Sequence, residues 1–543
     1  NQWENRPDFP VTANFAKNGM PHLFMVAAPV GLDTTQPFPM SVWLHGGGGS
    51  ARQSLPGSRA EINIKPEEGI ILSHDDNMMG HRGASPPHPD QPTWHFGWRK
   101  NYDPFTPDSL PTGIDTIVNY TQRRYLWIDS WLHRRFNIDP NRIHVHGHSM
   151  GSAGATALGK CYPEYYASVT IFNNGFGGPE PGSNPAIFGE PTLNFPTNLK
   201  NINGETVHLS NLFNLLDNCS EYRDLPLFRH WHGKNDDNGT MRWDAYVVEN
   251  YRKADSLGIG IQHMWSERSH GVDSAPDYND HWVNGQQPSQ QTALDDVAFA
   301  EARYRSNQSF PAFFNHQWDP QNNDPGTGLI GINNGDGDNW GAWGGWHRWD
   351  TETILDLPQE WAVDVWLESD AVFANDNCPH DSLTASMAIR KPQQFKLQPG
   401  TGNSCYAYIT DLNTGNIISS GGFFVPDDLA VVHNVTAYRK DIRKIRIHVL
   451  GGTSTSEPNS VASLSVFPNP ASSQLQLRYH TTRNEPVLIR LSRADGASEV
   501  SVFEATAGEN QWVIATQDYP NGWYSLSIQG TDTILTQKVL IRH

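Results

Sequence analysis

Two patterns of hydrophobic positions divide the chain. Up to about residue 300, short apolar runs alternate with segments of helical periodicity, and this alternation predicts a mostly parallel sheet with helices on its faces. Ile114–Phe136 is predicted as a helix because its apolar residues cluster on one side. The predicted strands are His22–Ala28, Met40–Leu44, Gly69–Ser73, Arg142–His146, Val169–Phe172, Leu227–Trp231 and Ile261–Trp265.

From about Phe310 the helical periodicity fades and alternating runs separated by turn residues predict an all-β sandwich. These runs are Trp361–Leu367, Gln394–Leu397, Tyr406–Thr410, Leu429–Val432 and Ile442–Val449. After a segment of linker composition, a second small β module has its own alternation at Leu475, Leu477 and Tyr479. We therefore predict an α/β domain over 1–305, a β-sandwich over 306–450, a linker over 451–459 and a terminal β module over 460–543.

Charge and composition exclude several classes of protein. The formal net charge of the 543 residues is −19 and no run of Lys or Arg occurs, so nucleic acids and anionic membranes are unexpected partners. No window approaches the roughly 18 apolar residues of a membrane-spanning helix. The high content of Gly (47), Pro (38) and Trp (19) favours a loop-rich extracellular protein. The start at Asn1 rather than Met indicates a signal peptide that has been removed or left out.

The four cysteines lie in no CxxC pair, which argues against a zinc knuckle. Their order suggests two local disulfides, Cys161–Cys219 and Cys378–Cys405, although four cysteines allow three connectivities and buried free thiols are the alternative.

The sequence His146-Gly147-His148-Ser149-Met150-Gly151 contains G-x-S-x-G directly after a predicted strand and before an Ala-rich helix. In this context the motif predicts a nucleophile elbow, in which flanking glycines leave room for a strained serine. Ser149 is the predicted nucleophile, and the Met150 N–H at the helix start would face an oxyanion.

A nucleophilic serine needs a base and a carboxylate that orients the base. Asp236 follows the strand Leu227–Trp231 and is the predicted acid, with the neighbouring Asp237 as the competitor. His270 follows the strand Ile261–Trp265 and is the predicted base. His263 lies inside that strand and is predicted to be structural, and His281 is a second candidate for the base.

The glycine run Gly46–Gly49 follows the strand Met40–Leu44 and is predicted to supply the second oxyanion donor, from Gly47 or Gly48. The alternative is a plain flexible loop. The resulting mechanism requires neither a metal nor an organic cofactor.

The insertion Met78–Pro104 carries Trp94, Phe96 and Trp98, which either line a substrate cleft or fix the loop to the domain. The histidines His81, His88 and His95 recur in it, but proline-rich sequence excludes a helix that would bring them together, so no metal site is predicted.

These motifs make the first 300 residues resemble the α/β-hydrolase superfamily. Within it, the glycine loop, the GHSMG sequence and the aromatic insertion are similar to extracellular esterases of the polyhydroxybutyrate depolymerase and feruloyl esterase type. The middle module resembles fibronectin-like or immunoglobulin-like accessory domains of secreted depolymerases. Its run Asn333–Asn339 resembles a calcium loop but lacks the glycine at the sixth position and the closing Glu, and it is predicted to be a solvated turn. Four nearby tryptophans are predicted to form the interface with the catalytic domain, with stacking on sugar rings as the alternative: Trp340, Trp343, Trp346 and Trp349.

The C-terminal module opens with Ser465-Val466-Phe467-Pro468-Asn469-Pro470 and closes with Asn521-Gly522-Trp523-Tyr524 and Lys538-Val539-Leu540-Ile541. It resembles the C-terminal sorting domain of type IX secretion. This resemblance implies the type IX secretion machinery as a partner, and a secreted or cell-surface location.

Together these features predict a serine esterase with a Ser149–His270–Asp236 triad, acting on an ester-bearing polymer such as a feruloylated or acetylated polysaccharide or a polyester, or on its fragments. The alternatives are a prolyl-oligopeptidase-like serine peptidase and a non-catalytic surface adhesin. The N-terminal stretch is too short for the propeller of the former, and a complete triad argues against the latter.

Overall fold

A computed structural model gives the fold of the chain, which divides into two compact units, Asn1–Leu450 and Gly451–His543. No helix in the described part of the chain is long and apolar enough to cross a membrane. The structure describes residues 2–3, 21–54, 69–78, 92–103, 109–176, 184–201, 203–217, 225–236, 238–266, 270, 303–327, 337–369, 377–397, 403–425, 429–450, 463–467, 471–481, 484–493, 498–529 and 534–543.

The first unit contains both helices and strands. Its α-helices are α1 (Tyr120–His133), α2 (Met150–Cys161), α3 (Pro185–Phe188), α4 (Leu209–Leu212) and α5 (Val248–Ser256). Its strands are β1 (Gln2–Trp3), β2 (Pro21–His22), β3 (Phe24–Ala27), β4 (Phe38–Leu44), β5 (Ile70–His74), β6 (Trp98–Arg99), β7 (Ile117–Val118), β8 (Ile138–His148), β9 (Ser168–Phe172), β10 (Pro196–Lys200), β11 (Thr206–His208), β12 (Leu227–Gly233), β13 (Gln262–Ser266), β14 (Phe310–Phe314), β15 (Gly341–Trp343), β16 (His347–Trp349), β17 (Leu355–Leu357), β18 (Glu360–Leu367), β19 (Ser382–Arg390), β20 (Asn403–Asp411), β21 (Ile417–Val425), β22 (Val431–Tyr438) and β23 (Arg443–Leu450).

An eight-stranded sheet in the order β3-β5-β4-β8-β9-β12-β13-β15 forms the centre of this unit. Neighbouring strands are parallel except for the outermost pairs, β3 with β5 and β13 with β15. β4, β5, β9 and β12 are buried along their whole length, as expected of parallel strands covered on both faces. This confirms the predicted α/β class, and the parallel core brings the carboxyl ends of β4, β8, β12 and β13 to one edge.

The helix α2 lies very close to this sheet because its sequence is rich in small residues. A Cβ atom at Gly151 would overlap the Leu44 carbonyl of β4, and one at Gly159 would press on Phe228 of β12. The other main helices, α1 and α5, bury Ile128 and Tyr251 in the same hydrophobic core as β4 and β8. Close helix-on-sheet packing therefore fixes the start of α2 relative to the ends of the strands.

Two antiparallel sheets follow in the same unit, one with the order β14-β19-β22 and one with the order β16-β18-β23-β20-β21, with β17 added beside β18. Both contribute to one hydrophobic core, the first through Phe313 and Met387 and the second through Val363 and Ile445. In β20, buried positions alternate with more exposed ones, which is the pattern of a sheet with one covered face. The strand-rich character predicted for this region is confirmed.

The predicted disulfide Cys378–Cys405 is wrong. Both residues are unpaired thiols. They lie in different hydrophobic cores, Cys378 beside Trp346 and Leu367 and Cys405 beside Ile445. Cys219 lies outside the described residues, and the suggested Cys161–Cys219 pair lies outside them with it.

Three of the four neighbouring tryptophans are almost fully buried where the β-rich region meets the central sheet. Trp343 packs against Trp265 of β13, and Trp346 shares a core with Trp43 and Trp231 of the central sheet. The strand β15, which carries Trp343, itself extends the central sheet beside β13. These contacts join residues on both sides of the predicted boundary near 305, which stays a prediction.

The second unit consists of β24 (Ser463–Phe467), β25 (Gln474–Thr481), β26 (Glu485–Arg493), β27 (Ser498–Ala505), β28 (Gly508–Ala515), β29 (Gly522–Gln529) and β30 (Ile534–Ile541). They form two antiparallel sheets, β24-β25-β28 and β27-β26-β29-β30. The predicted alternation in β25 is confirmed, because Leu475, Leu477 and Tyr479 are buried in the core between these sheets.

Two predicted elements are wrong. The helix predicted from Ile114 begins only at Tyr120, because Ile117–Val118 pairs as β7 with β6 and β10. The predicted strand Gln394–Leu397 forms no strand, since the backbone N–H groups of Gln394 and Phe395 donate to the Asp356 carboxylate instead of to a neighbouring strand. The linker segment 451–458 and the run 333–336 lie outside the described residues.

Candidate active site

Ser149 lies in a sharp turn between the end of β8 and the start of α2. Its backbone adopts φ 56° and ψ −121°, a region that residues other than glycine rarely occupy. A Cβ atom at Gly147 would overlap the backbone of Gly151, so the turn closes only because both flanking positions are glycine. This is the strand–turn–helix geometry that the sequence motif predicts, and it exposes the Ser149 hydroxyl at the edge of the sheet.

Three side chains from the carboxyl ends of β8, β12 and β13 form one hydrogen-bonded line. Ser149 Oγ lies 2.9 Å from His270 Nε2, and His270 Nδ1 lies 2.8 Å from Asp236 Oδ2. The Asp236 carboxylate accepts the Nδ1–H, so the Nε2 lone pair points at the serine hydroxyl and accepts its proton. The structure therefore brings the predicted nucleophile, base and acid together in the arrangement that acyl transfer requires.

Asp236 is held as an ionised acceptor. Its Oδ2 also accepts a hydrogen bond from Asn173 Nδ2 at 2.8 Å, and its Oδ1 accepts one from the Asn238 N–H at 3.0 Å. Burial acts to raise the pKa of this carboxyl, but the hydrogen bond from His270 and the nearby His232 outweigh burial and lower the pKa below its ordinary value. The carboxylate is therefore charged at neutral pH and fixes the His270 tautomer.

Sequence reasoning missed two residues that position these groups. Asn173 directly follows β9 in a left-handed conformation (φ 51°), which aims its amide at Asp236. His148 lies in the G-x-S-x-G motif itself, and its Nε2–H donates to the backbone carbonyl of His270 at 2.8 Å. Both are polar residues at or just after the carboxyl end of a strand, and this position in the sequence could have identified them. Burial, and next the proximity of His270, lower the pKa of His148 to about 4.

The glycine loop after β4 lies against the nucleophile. A Cβ atom at Gly46 would lie 3.5 Å from the Ser149 Cβ, whereas Gly47 and Gly48 are exposed and the position of a Gly47 Cβ is open. The Gly49 N–H donates to the Gly46 carbonyl at 3.0 Å, which closes the loop as a turn. The structure thus places Gly46 against Ser149, while the role of Gly47 or Gly48 as oxyanion donor stays a prediction. The Met150 N–H belongs to the first turn of α2, where N–H groups lack intrahelical partners.

Two buried histidines hold this glycine loop. His45 Nε2 accepts the Asp76 N–H at 3.0 Å, so its Nδ1–H donates to the Gly46 carbonyl at 2.8 Å. His95 Nε2–H donates to the His45 carbonyl at 2.9 Å, while its Nδ1 accepts the Tyr125 hydroxyl at 2.7 Å. Burial lowers the pKa of His95 to about 4, which keeps the ring neutral with these two roles. His95 belongs to the insertion whose histidines were not predicted to form a metal site.

Of the three aromatic residues predicted to contact substrate, two have no exposed surface. Phe96 and Trp98 are both 0% exposed and pack in a core with Phe213 and Tyr120. A ligand cannot reach them without unpacking this core, so they fix the loop, which was the alternative interpretation. Trp94 is only partly buried and contacts Phe213 edge-on.

Four further candidate residues lie outside the described residues: Asp237, His281, His81 and His88. His263 is buried inside β13, where it stacks on Tyr251 with ring centroids 3.9 Å apart. Within the described ranges, no three side chains of His, Cys, Asp or Glu are grouped to hold a metal ion.

Comparison with solved structures finds similar chains at low identity. One is a ferulic acid esterase, 14% identical, with 49% of this chain and 86% of that chain covered and a TM-score of 0.30. Another is an S-formylglutathione hydrolase from Agrobacterium tumefaciens, 15% identical, with 52% of this chain and 90% of that chain covered and a TM-score of 0.32. A third is an S-formylglutathione hydrolase from Staphylococcus aureus, 12% identical, with 55% of this chain and 95% of that chain covered and a TM-score of 0.30. No curated protein matches the chain.

The C-terminal unit matches a family model. Residues 465–542 match the family described as "Secretion system C-terminal sorting domain". This range begins within β24 and ends just after β30, so it includes residues of all seven strands of this unit. The chain thus carries a type IX secretion sorting domain at its C-terminal end, and it is a secreted or cell-surface protein.

Proposed function

We propose that this protein is a secreted serine esterase that cleaves carboxylic esters through an acyl-enzyme on Ser149. The observation that carries the proposal is the hydrogen-bonded line from Ser149 Oγ through His270 to Asp236, at 2.9 and 2.8 Å, in a strained turn at the edge of a parallel sheet. A purely structural serine has no need of this strain or of a base aligned on its hydroxyl.

The reaction proceeds in two halves. In the first, His270 Nε2 takes the proton of Ser149 while Oγ attacks the acyl carbon, and N–H groups of Met150 and the Gly46–Gly48 loop stabilise the oxyanion. The ester C–O bond then breaks, and the proton on His270 passes to the departing alkoxide oxygen. In the second half, His270 deprotonates a water that attacks the acyl carbon. Collapse returns the proton to Ser149 Oγ and releases the acid.

Hydrolysis of p-nitrophenyl acetate and butyrate, together with labelling by a fluorophosphonate, tests this function. Ser149→Ala is expected to lower turnover by a factor on the order of 10⁴ or more and to abolish labelling. Ser130→Ala is the matched control, because that exposed hydroxyl bonds only to its own helix at Leu126 O. If the wild-type protein neither turns over nor labels, the esterase proposal is wrong and the adhesin alternative takes its place.

We further propose that the natural substrate is an ester-bearing polymer or its fragments, since an exported hydrolase meets material too large to enter the cell. Feruloylated arabinoxylan, acetylated xylan and polyhydroxybutyrate are the polymers to compare, and peptide p-nitroanilides represent the peptidase alternative. Release of acid from one of the polymers, with no cleavage of the anilides, is the expected result. Recognition of residues 465–542 by the type IX machinery is expected to deliver the enzyme to this substrate.

A further inference from the structure

A cavity of about 530 Å³ lies between the segment that follows β14 and the start of β19. Its volume falls in the range of roughly 300–1,000 Å³ that small-molecule sites occupy. It contains none of the residues of the candidate active site. The residues that line it and matter here are His316, Gln317, Trp318, Asp319, Asn322 and Leu383.

Trp318 presents its indole at the surface of this cavity and is held rigidly there. The Arg252 Cζ lies 4.5 Å from the centroid of the Trp318 ring, and the centroids of the Trp318 and Trp343 rings lie 6.1 Å apart. Arg252 also donates to the Gly326 carbonyl, so its own position is fixed from α5. With these contacts made, 40% of the Trp318 surface stays exposed. An immobilised, exposed indole is a stacking platform.

Two polar side chains next to Trp318 in the sequence also line the cavity and are exposed, those of Gln317 and Asp319. The Asp319 Oδ1 accepts the Gln321 N–H at 2.9 Å, and the Gln317 Nε2–H donates to Asn434 Oδ1 at 3.4 Å. An exposed carboxylate and an exposed amide oxygen both accept hydrogen bonds, so they suit a ligand that brings hydroxyl donors.

The charges around the cavity disfavour an anionic ligand. Asp319 is exposed at the rim, and the guanidinium of Arg252 already faces Trp318, the Gly326 carbonyl and, at 3.9 Å, Asp324. A neutral pyranose combines an apolar C–H face that stacks on indole with hydroxyl groups that donate to acceptors. We propose that this cavity, the Trp318 site, binds a neutral polysaccharide chain through stacking on Trp318 and hydrogen bonds from sugar hydroxyl groups to Gln317 and Asp319. The Trp318 site would hold the polymer on the enzyme independently of ester cleavage.

Affinity gel electrophoresis of the full chain tests this proposal, with arabinoxylan, glucomannan and mixed-linkage β-glucan as neutral probes and polygalacturonate as the anionic probe. All proteins carry Ser149→Ala, so that turnover neither alters the polymer nor influences the result. Retardation by at least one neutral polysaccharide is expected, and Trp318→Ala should weaken it roughly tenfold or more. Gln317→Ala should weaken it by a smaller factor.

Phe136→Ala is the matched control, since Phe136 is also an aromatic residue with 40% exposure but lies three residues after the end of α1, outside the cavity. It should be retarded like the parent. Thermal unfolding of each variant shows whether it is folded, and Trp318→Phe, which keeps an aromatic face, should retain part of the binding. Equal retardation of Trp318→Ala and parent, or retardation by polygalacturonate alone, would overturn the proposal. So would the absence of retardation by every neutral probe, whatever the esterase assay shows.

Discussion

Replacing Asp236 by Asn removes one charge and leaves the shape of the side chain unchanged, yet every donor around it opposes the change. Oδ2 accepts from His270 Nδ1–H and Asn173 Nδ2, and Oδ1 accepts from the Asn238 N–H. The amide NH2 of an asparagine must therefore face at least one N–H donor in either orientation. Facing Asn238 is the less costly choice, because it breaks one hydrogen bond instead of two.

The expected loss of activity has two parts. The neutral amide no longer stabilises the imidazolium that forms on His270, and a ring flip to the other tautomer would aim an N–H, not a lone pair, at Ser149. We expect kcat to fall by a factor on the order of 10³–10⁴, which corresponds to about 4–5.5 kcal/mol of transition-state stabilisation. KM should change little, because Asp236 is buried beneath His270 and does not face the substrate.

Steady-state hydrolysis of p-nitrophenyl butyrate from pH 6 to 9 measures this effect. Asp33→Asn is the matched control, because Asp33 is also a hydrogen-bond acceptor, with two bonds from Thr35, but lies exposed in the loop after β3. Activity of Asp236→Asn within tenfold of the wild type would refute the role assigned to Asp236. Thermal unfolding shows whether the variant is folded. The rate of fluorophosphonate labelling per folded molecule then separates a loss of catalytic function from a loss of folded protein.

The same carboxylate has a consequence for stability. Its folded-state pKa is lowered relative to the unfolded chain, so its contribution is present above the unfolded value of about 3.9 and is lost as the pH falls through the folded value. The Asn variant lacks this contribution, and its unfolding free energy should therefore differ most from the wild type at neutral pH.

Three further predictions concern the packing around the site. Gly151→Ala should lower the unfolding free energy in urea by about 3 kcal/mol or more, because the new Cβ would overlap backbone of β4, whereas Gly47→Ala, with open space at its Cβ, should unfold like the wild type. His95→Leu should lower kcat about tenfold or more with little change in KM, since the His45 carbonyl loses its donor; unchanged kcat would contradict a positioning role. Burial lowers the pKa of His146 to about 3, so below about pH 6.5 the unfolded chain binds a proton at this residue that the folded chain does not bind. The unfolding free energy should therefore fall between pH 6.5 and 4. An unfolding free energy that stays constant over this range would contradict the buried, neutral state of His146.

Sequence alone was sufficient to predict the central sheet and the three aligned side chains. Ser149, Asp236 and His270 each follow an apolar run that is short, rich in β-formers and buried in the structure as β8, β12 or β13. Their common position at strand ends follows from the parallel order of the sheet, and in such a sheet proximity does not depend on side-chain detail. This is why His270 and Asp236 could be predicted as neighbours of Ser149 although they lie 121 and 87 residues from it in the sequence.

The errors arise where long-range contacts decide the outcome. Ile117 and Val118 fit a helical pattern, but β10, about 80 residues later, pairs with them. Phe96 and Trp98 have the composition of a binding cleft, and only the packing of Phe213 shows that they are interior. Periodicity reports on local burial, and it carries no information about which distant segment supplies the cover.

The same type of hydrogen bond recurs in the loops after β4, β12 and β13, which surround Ser149. In each, a buried histidine donates its Nε2–H to a backbone carbonyl: His95 to His45 at 2.9 Å, His232 to Met241 at 2.7 Å and His148 to His270 at 2.8 Å. Burial lowers the pKa of each of these histidines to about 4.

This lowering matters most at His148, whose ring centroid lies 5.0 Å from that of His270. A protonated His148 would repel the imidazolium that forms on His270 during the reaction, and would oppose the Asp236 carboxylate that stabilises it. Because burial keeps His148 neutral at the pH of the reaction, the ring anchors the base loop without adding charge. Positioning by a neutral buried histidine thus keeps Asp236 as the dominant charge felt by His270, which a lysine or arginine at position 148 would not allow.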